Sequence, residues 1–194
     1  MKRMLLFLPL LLLAGGSFAA TPLPGDSVYQ LPVTLTAQDG HPFPLSVRRG
    51  RVQVVSMFYT SCTMVCPLII DTMQLTARAL DERSRARLDL LAVSFDPAHD
   101  DVATLNQYAK RHGLQSPLWT LARAEPTDVR KLAAVLDIRV REAGDGEFNH
   151  TSELILLDAD GRIIARTSTI GRSDPVFVQA VRKALAAGPG SSPG

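Results

Sequence analysis

The chain has 194 residues, of which 46% are hydrophobic and 21% are charged, and its formal net charge at pH 7 is +2. That length suits one ordinary domain and a leader, and the composition is that of a soluble globular protein. A net charge so close to zero gives no reason to expect nucleic acid or another strongly charged partner.

Residues 1–19 have the features of a secretory signal peptide. Lys2 and Arg3 precede an uncharged, mostly apolar run over residues 4–14, and the small residues of SFAA follow. We expect cleavage after Ala19 and export to the periplasm. The alternative is an uncleaved leader that anchors the protein in the inner membrane. Cleavage removes two of the 21 basic residues and leaves 19, which equals the number of acidic residues, 19.

Alternating strands and helices are predicted for the domain, which we place at residues 20–187. We expect the tail GPGSSPG, residues 188–194, to be disordered. In chain order, apolar periodicity and turn residues predict a hairpin over 31–46, a strand over 51–59, a helix from Cys66, a strand over 88–96, a helix over 100–113, a short strand over 116–123, a helix over 126–136, a hairpin over 150–168 and a helix over 173–188.

This order of elements predicts an α/β fold with layers of helices on a sheet. The run RVQVVSMFY is β-branched and almost wholly apolar, which suits a strand covered on both faces. It leads into a cysteine turn at the start of a helix, and an antiparallel hairpin follows late in the chain. We therefore expect a thioredoxin-like fold, with a central mixed sheet flanked by helices and an N-terminal β-hairpin.

The stretch YTSCTMVCPLI contains both cysteines of the chain, Cys62 and Cys66. Side chains four apart on a helix have Cβ atoms about 5–6 Å apart, whereas a disulfide needs roughly 3.5–4.5 Å. A bridge therefore requires Cys62 to curl in from the turn, while two thiolates on one metal accept a wider separation. A helix N-terminus lowers the pKa of a cysteine, which helps redox exchange and metal binding alike. The spacing permits both a redox-active disulfide and a metal site.

A third ligand would favour a metal, and four histidines are candidates. His41 follows a turn pair and His112 lies at a helix C-terminus, so surface roles suit both. His99 lies in the loop after the second buried strand. His150 lies just before the apolar strand ELILLD, where a histidine is more often a satisfied core residue than a ligand. The residues alone leave the role of His150 open.

Three stretches together resemble the SCO/SenC family of cytochrome oxidase assembly proteins: YTSCTMVCP, VSFDPAHDDVATLNQYAKRHG and FNHTSELILLDADGRI. The CxxxCP motif, the strand ending in Asp-Pro and the single histidine before a late hairpin occur in the same order as in that family. These proteins are thioredoxin-like and bind copper. The resemblance implies that Cys62, Cys66 and His150 bind one copper ion, as Cu(I) or Cu(II). Soft thiolates suit Cu(I), and imidazole suits either oxidation state.

Two further positions are candidates for contact with the ligands rather than with the metal. The family often has Asp directly before its histidine, where this chain has Asn149, and this difference is expected to alter affinity or redox preference. Asp96, in the Asp-Pro turn, matches another acidic position of the family pattern. A turn or helix-capping role is the alternative for Asp96.

The resemblance implies a periplasmic protein that delivers copper to the CuA site of cytochrome c oxidase subunit II, or reduces the cysteines of that site. An upstream thiol reductant is then required, and another periplasmic copper chaperone is a further candidate partner.

The alternative function is a thiol–disulfide oxidoreductase or thiol peroxidase that uses Cys62 and Cys66. Against it, thioredoxin-type motifs have the spacing CxxC. A structural disulfide across so short a loop would stabilise little, and a Cys₂His zinc site is a further alternative.

Overall fold

A seven-stranded mixed sheet forms the centre of the computed structural model, which describes residues 22–114, 117–142 and 148–187. The predicted leader and the predicted tail lie outside these ranges. The helices are α1 Val65–Arg78, α2 Glu82–Arg85, α3 Val102–His112, α4 Pro126–Val135 and α5 Pro175–Ala187. The strands are β1 Thr34–Ala37, β2 Pro42–Pro44, β3 Val52–Phe58, β4 Leu88–Ser94, β5 Trp119–Arg123, β6 Val140–Glu142, β7 Phe148–His150, β8 Leu154–Leu157 and β9 Ile163–Thr167.

The strands of the main sheet follow the order β2-β1-β5-β4-β3-β8-β9. Strands β3, β4 and β5 are parallel, and β1, β8 and β9 pair with their neighbours in the antiparallel sense. Strands β6 and β7 form a separate two-stranded sheet. The expected central mixed sheet with flanking helices is therefore confirmed. None of the helices in the described ranges is both long and apolar enough to cross a membrane.

The two central strands position the loops that carry the candidate ligands. All seven residues of β3 and all seven of β4 are buried, which explains why both strands have a mostly apolar sequence without alternation. Phe58 pairs with Ser94, so the two parallel strands end at the same edge of the sheet. The cysteine loop leaves from β3 and the Asp-Pro loop leaves from β4. In open α/β sheets, the carboxyl ends of the strands are where ligands usually bind.

Both predicted hairpins are present. Strands β1 and β2 flank the predicted turn pair Asp39-Gly40, where Gly40 has a φ of 87°. Strands β8 and β9 flank Asp160-Gly161, where Gly161 has a φ of 80°. Glycine adopts such positive φ angles without the steric cost that other residues incur, and this is why the two turns could be read from the sequence.

Two features differ from the sequence-based expectation. The charged segment after α1 forms the short helix α2, because Asp81 accepts a hydrogen bond from the backbone N–H of Ser84 at 2.9 Å and caps it. In addition, His150 does not begin the buried strand β8. It lies on β7, where it pairs with Val140 of β6. A three-residue strand is too short to show a periodicity, so this small sheet could not be predicted.

Candidate metal centre

The loop between β3 and α1 brings the two cysteines together. Cys62 is half-buried in the loop, and Cys66 is fully buried in the first turn of α1; both are free thiols. Met64, directly before the helix, makes no capping hydrogen bond through its side chain. Instead, the backbone N–H of Cys66 donates to Cys62 Sγ at 3.4 Å. The sulfur thus satisfies a helix N–H that would otherwise lack a partner, and Cys62 curls toward Cys66.

His150 lies against the second cysteine. The distance between Cys66 Sγ and His150 Nε2 is 3.8 Å. The other ring nitrogen, Nδ1, is 3.2 Å from the backbone carbonyl oxygen of Thr151. A carbonyl only accepts hydrogen bonds, so we assign the proton to Nδ1, and the lone pair of Nε2 faces the sulfur. Burial lowers the pKa of His150 and favours the neutral imidazole, which is the form that binds metals.

Two aromatic rings lie against His150, and a third packs against both of them. The ring of Phe95 has its centroid 4.8 Å from that of His150, and the ring of Tyr59 is 6.3 Å away. Phe148 lies 5.2 Å from both of these rings. Tyr59 and Phe95 directly follow β3 and β4, whereas Phe148 belongs to β7. This aromatic cluster therefore joins the His150 hairpin to the edge of the main sheet and limits the positions that the imidazole can take.

The two thiols have opposite pKa shifts. Partial burial raises the pKa of Cys62, but hydrogen bonds from the backbone N–H groups of Cys66, Met64 and Val65 outweigh it and lower the pKa overall. Burial raises the pKa of Cys66, and the charges of Cys62 and Asp100 raise it further. The expectation that a helix start lowers a cysteine pKa is therefore correct for Cys62 and wrong for Cys66. The apolar surroundings of Cys66 outweigh the helix dipole.

Cys66 Sγ and His150 Nε2 are close enough to bind one metal ion together, whereas Cys62 Sγ would have to move to join them. With metal–sulfur and metal–nitrogen bonds of about 2.3 and 2.05 Å, the 3.8 Å between Cys66 Sγ and His150 Nε2 corresponds to an angle of about 120°. Within the described ranges, no three His, Cys, Asp or Glu side chains are already grouped as a metal site. Two donors are therefore in place, and Cys62 Sγ is held nearby by its hydrogen bond to the Cys66 N–H.

Among the described residues, no hydrogen bond joins Asp96 or Asn149 to Cys62, Cys66 or His150. Asp96 is buried, and its carboxylate is 2.9 Å from Nδ1 of the exposed His99. Its carbonyl oxygen accepts the N–H of Asp100 at 2.9 Å, and these contacts support the turn role for Asp96. Asn149 is exposed, and alternation along β7 directs its side chain away from the face that His150 occupies.

His41 and His112 are surface residues, as the sequence suggested. His41 is exposed in the first hairpin turn, 3.6 Å from Asp39. His112 stacks on Tyr108 at 4.1 Å at the end of α3. Met64, between the cysteines, is 75% exposed. Exposure at this point leaves the outer side of the cysteine loop open to an approaching molecule.

The burial of Asp100 is not predicted by the sequence, where it stands with Asp101 at the start of the helix expected over residues 100–113. Asp101 does cap the helix, since its carboxylate accepts the N–H of Thr104 at 2.7 Å. Asp100 is instead 1% exposed and accepts the backbone N–H of Thr60 at 3.1 Å. The sequence does contain one indication of a separate role for Asp100: a helix needs a single N-cap, and Asp101 already supplies it.

The fold and the site define a thioredoxin-like protein with two cysteines and one histidine at the edge of its sheet. The SCO1/SenC family model matches residues 23–186, and the chain belongs to this family. A Stutzerimonas stutzeri protein named for copper binding is 25% identical over 134 residues, which cover 66% of this chain. The chain spans less than two thirds of that relative, 64% of its length.

Solved structures support the same fold. The copper-bound structure of Bradyrhizobium japonicum ScoI has a TM-score of 0.67 and 22% identity, and the match covers 79% of this chain and 97% of ScoI. BsSco has a TM-score of 0.68 and 20% identity, with 80% of this chain and 92% of BsSco covered. BsSco contains a disulfide switch and is a member of the Sco family of cytochrome c oxidase assembly proteins. At these identities the likeness establishes the fold.

Proposed function

We propose that this chain binds one copper ion through Cys62, Cys66 and His150 during the assembly of cytochrome c oxidase. The observation that carries the proposal is the 3.8 Å contact between Cys66 Sγ and His150 Nε2. Membership in the SCO1/SenC family supports copper as the metal, and so does the copper in the ScoI structure.

The chemistry of the donors suits copper in both oxidation states. Two thiolates are soft ligands that favour Cu(I), and a neutral imidazole binds Cu(I) and Cu(II). Metal binding displaces the proton from Cys66, whose pKa is raised, so binding is expected to release protons. Cys62 is the more accessible thiol and has the lowered pKa. We therefore infer that Cys62 meets the incoming ion first, and that Cys66 and His150 complete the site.

Three donors leave one side of a copper ion open to a ligand from another protein. Copper is the cargo in this proposal, and it leaves by stepwise exchange of these donors for those of the acceptor. Met64, exposed beside Cys62, lies on the side from which an acceptor would approach. The acceptor we propose is the CuA site of cytochrome c oxidase subunit II, and the place is the periplasm, reached through the predicted signal peptide of residues 1–19.

Reduction of the CuA cysteines is the second candidate function, and the opposite pKa shifts of the two thiols favour it. The Cys62 thiolate would attack an acceptor disulfide and form a mixed disulfide. Cys66 would then lose its proton and displace the acceptor thiolate, forming the Cys62–Cys66 disulfide. The acceptor disulfide gains two electrons from the cysteine pair, one proton from Cys66 and a second proton from solvent. An upstream dithiol reductant is needed to restore the cysteines, both for this cycle and for copper binding.

Copper titration of the reduced protein tests the three-ligand proposal. Wild type and the variants Cys62→Ser, Cys66→Ser and His150→Ala are titrated with Cu(I) against a competing chelator, and with Cu(II) by absorption. His41→Ala removes an exposed histidine from the first hairpin and serves as the matched control. We expect wild type and the control to bind one equivalent, and each ligand variant to bind at least tenfold more weakly.

Binding by His150→Ala as tight as that of the wild type would overturn the three-ligand site. If that variant also reduced a model disulfide at the wild-type rate, a dithiol reductase would be the better description. Zinc binding tighter than copper binding by the wild type would exclude copper as the preferred metal.

A further inference from the structure

An open groove of about 500 Å³ lies along the hairpin that carries His150. Residues of β6, β7 and the positions beside them line it: Arg139, Val140, Arg141, Asn149, His150 and Thr151. Two of these residues are arginines and none is acidic. The groove therefore carries positive charge directly beside a candidate ligand.

The register of the hairpin places Arg141 on its outer face. Val140 pairs with His150, and Arg141 pairs with Asn149. Successive side chains along a strand point to opposite faces, so Arg141 and Asn149 lie on the face that His150 does not occupy. Both of these residues are exposed. The outer face is thus open to another molecule, whereas His150 on the inner face lies against the aromatic cluster.

Backbone pairing continues to Arg139, which is exposed and lies one residue before β6. Its N–H donates to Thr151 Oγ1 at 3.2 Å, and its carbonyl oxygen accepts the Thr151 N–H at 2.9 Å. The carbonyl oxygen of Thr151 is in turn 3.2 Å from His150 Nδ1. The groove is therefore joined through Thr151 to the group that orients the imidazole ring of His150.

Both arginines lack an acidic partner among the described residues. None of the ion pairs in those ranges includes Arg139 or Arg141. Opposite charges attract each other across a pair of strands, but the residue across from Arg141 is the uncharged Asn149. Asp137 and Glu153, the described acids closest along the chain, do not line the groove. The two guanidinium groups are therefore available to carboxylates from outside the chain.

The chemistry of this face suits the acidic side chains of another protein better than a membrane. A guanidinium group presents a planar set of N–H donors that matches the two oxygens of a carboxylate. Binding to a membrane surface generally also requires apolar side chains that enter the lipid. None of the large exposed hydrophobic residues in the described part of the chain lines the groove.

We propose that Arg139 and Arg141 bind an acidic segment of a partner protein along the outer face of the His150 hairpin. Such binding places the partner beside the candidate metal ligands without using any of their donor atoms. That this partner is the copper acceptor rests on the proposed function, whereas the binding of an acidic segment does not.

Titration of the reduced, metal-free protein with an acidic peptide tests the proposal. The probe is a peptide of alternating glutamate and glycine, and the control peptide has glutamine in place of glutamate. Amide chemical shifts of the isotope-labelled protein report both the affinity and the place of binding. We expect the largest shifts at Arg139, Arg141, Asn149 and Thr151. Binding should weaken as sodium chloride rises from about 0.01 M to about 0.15 M, because the Debye length falls from about 30 Å to about 8 Å.

Substitutions that change only the charge identify the residues responsible. Arg139→Gln and Arg141→Gln should each weaken peptide binding about threefold, and the double variant about tenfold, as is typical of exposed ion pairs. Arg141→Lys keeps the charge and should retain most of the affinity. Asn149→Asp should weaken binding about threefold, because the new carboxylate lies across from Arg141 and pairs with it. Arg83→Gln is the matched control, since it removes an exposed charge from α2, before the start of β4.

Arg83→Gln should bind the peptide as the wild type does. Equal losses in Arg83→Gln and Arg141→Gln would overturn the proposal, as would equal binding of the two peptides or largest shifts at α2. Binding to phosphatidylglycerol vesicles that the acidic peptide does not displace, and that the double variant loses, would assign the groove to a membrane instead. If the wild type binds the peptide at the hairpin but binds no copper, the proposed function fails and this inference stands. If it binds copper but not the peptide, the inference fails and the proposed function stands.

Discussion

Cys66 Sγ lies 3.8 Å from His150 Nε2, although 84 residues separate the two along the chain. Cys66 belongs to the buried first turn of α1, whereas His150 ends β7, a strand of three residues outside the main sheet. Phe148 of this hairpin packs against Phe95, which follows β4 at the edge of the main sheet and also lies against His150. The geometry of the site therefore depends on aromatic packing as well as on the candidate ligands themselves.

Replacing Phe95 by leucine should weaken copper binding without removing a ligand. The change deletes the ring 4.8 Å from His150, and loss of a residue that orients a ligand typically lowers metal affinity about 10–100-fold. Competition with a Cu(I) chelator measures the effect. Phe43→Leu is the control, because that ring lies on the edge strand β2, under Arg48. Equal affinities of the two variants would contradict the role of the aromatic cluster.

The two thiols should react at different rates. Cys62 is half-buried and has a lowered pKa, whereas Cys66 is buried and has a raised pKa. In the reduced metal-free protein, alkylation of Cys62 by iodoacetamide should level off below pH ~8.5, the pKa of a free cysteine. Alkylation of Cys66 should still be rising there. Mass spectrometry of the modified peptides separates the two, and in urea-unfolded protein they should react alike. Faster reaction of Cys66 in the folded protein would contradict the assignment.

Acid should destabilise the metal-free protein partly through His150. Burial lowers the pKa of this residue, so the unfolded chain binds more protons there once the pH falls below about 6.5. The corresponding stability is present above that pH and is lost as the pH falls through the lowered pKa of the folded state. Urea unfolding at pH 7 and pH 5 should show a smaller loss for His150→Gln than for the wild type. His41→Gln, at an exposed position, should lose as much as the wild type; equal losses in all three proteins would exclude this contribution.

Two glycine substitutions should separate backbone strain from steric overlap. Gly50 and Gly161 have φ angles of 92° and 80°, so alanine at either position should cost about 1–2 kcal/mol of unfolding free energy. A Cβ on Gly161 would also lie 2.6 Å from Cδ2 of Tyr29, which is buried, whereas nothing lies within 4 Å at Gly50. Gly161→Ala should therefore lose roughly 1–3 kcal/mol more. Urea denaturation measures the difference, and equal losses would mean that Tyr29 moves aside freely.

Much of the main sheet could be predicted because its signals are local. The apolar runs of β3 and β4 reflect strands buried on both faces. The turns at Gly40 and Gly161 need positive φ angles that favour glycine. The CxxxCP spacing likewise placed Cys62 in a loop and Cys66 at a helix start, and the structure has both in these positions.

The surroundings of the site could not be predicted in the same way. His150 lies four residues before the first residue of the apolar strand β8, yet it belongs to a separate hairpin whose pairing with Val140 leaves no periodic pattern. The burial of Asp100 depends on hydrogen bonds from Thr60 and Ser94, which belong to other elements. The raised pKa of Cys66 also comes mainly from residues that pack around it from elsewhere in the fold.

Most of the strands and helices, both glycine turns and the residue types of the site can be predicted from the sequence, because each depends on neighbours within a few positions. The packing of distant segments sets which histidine lies against Cys66, which acid is buried beside the cysteine loop and which thiol has the raised pKa. These properties depend on distance, dielectric surroundings and hydrogen-bond partners, and all three are set by segments that are far apart along the chain.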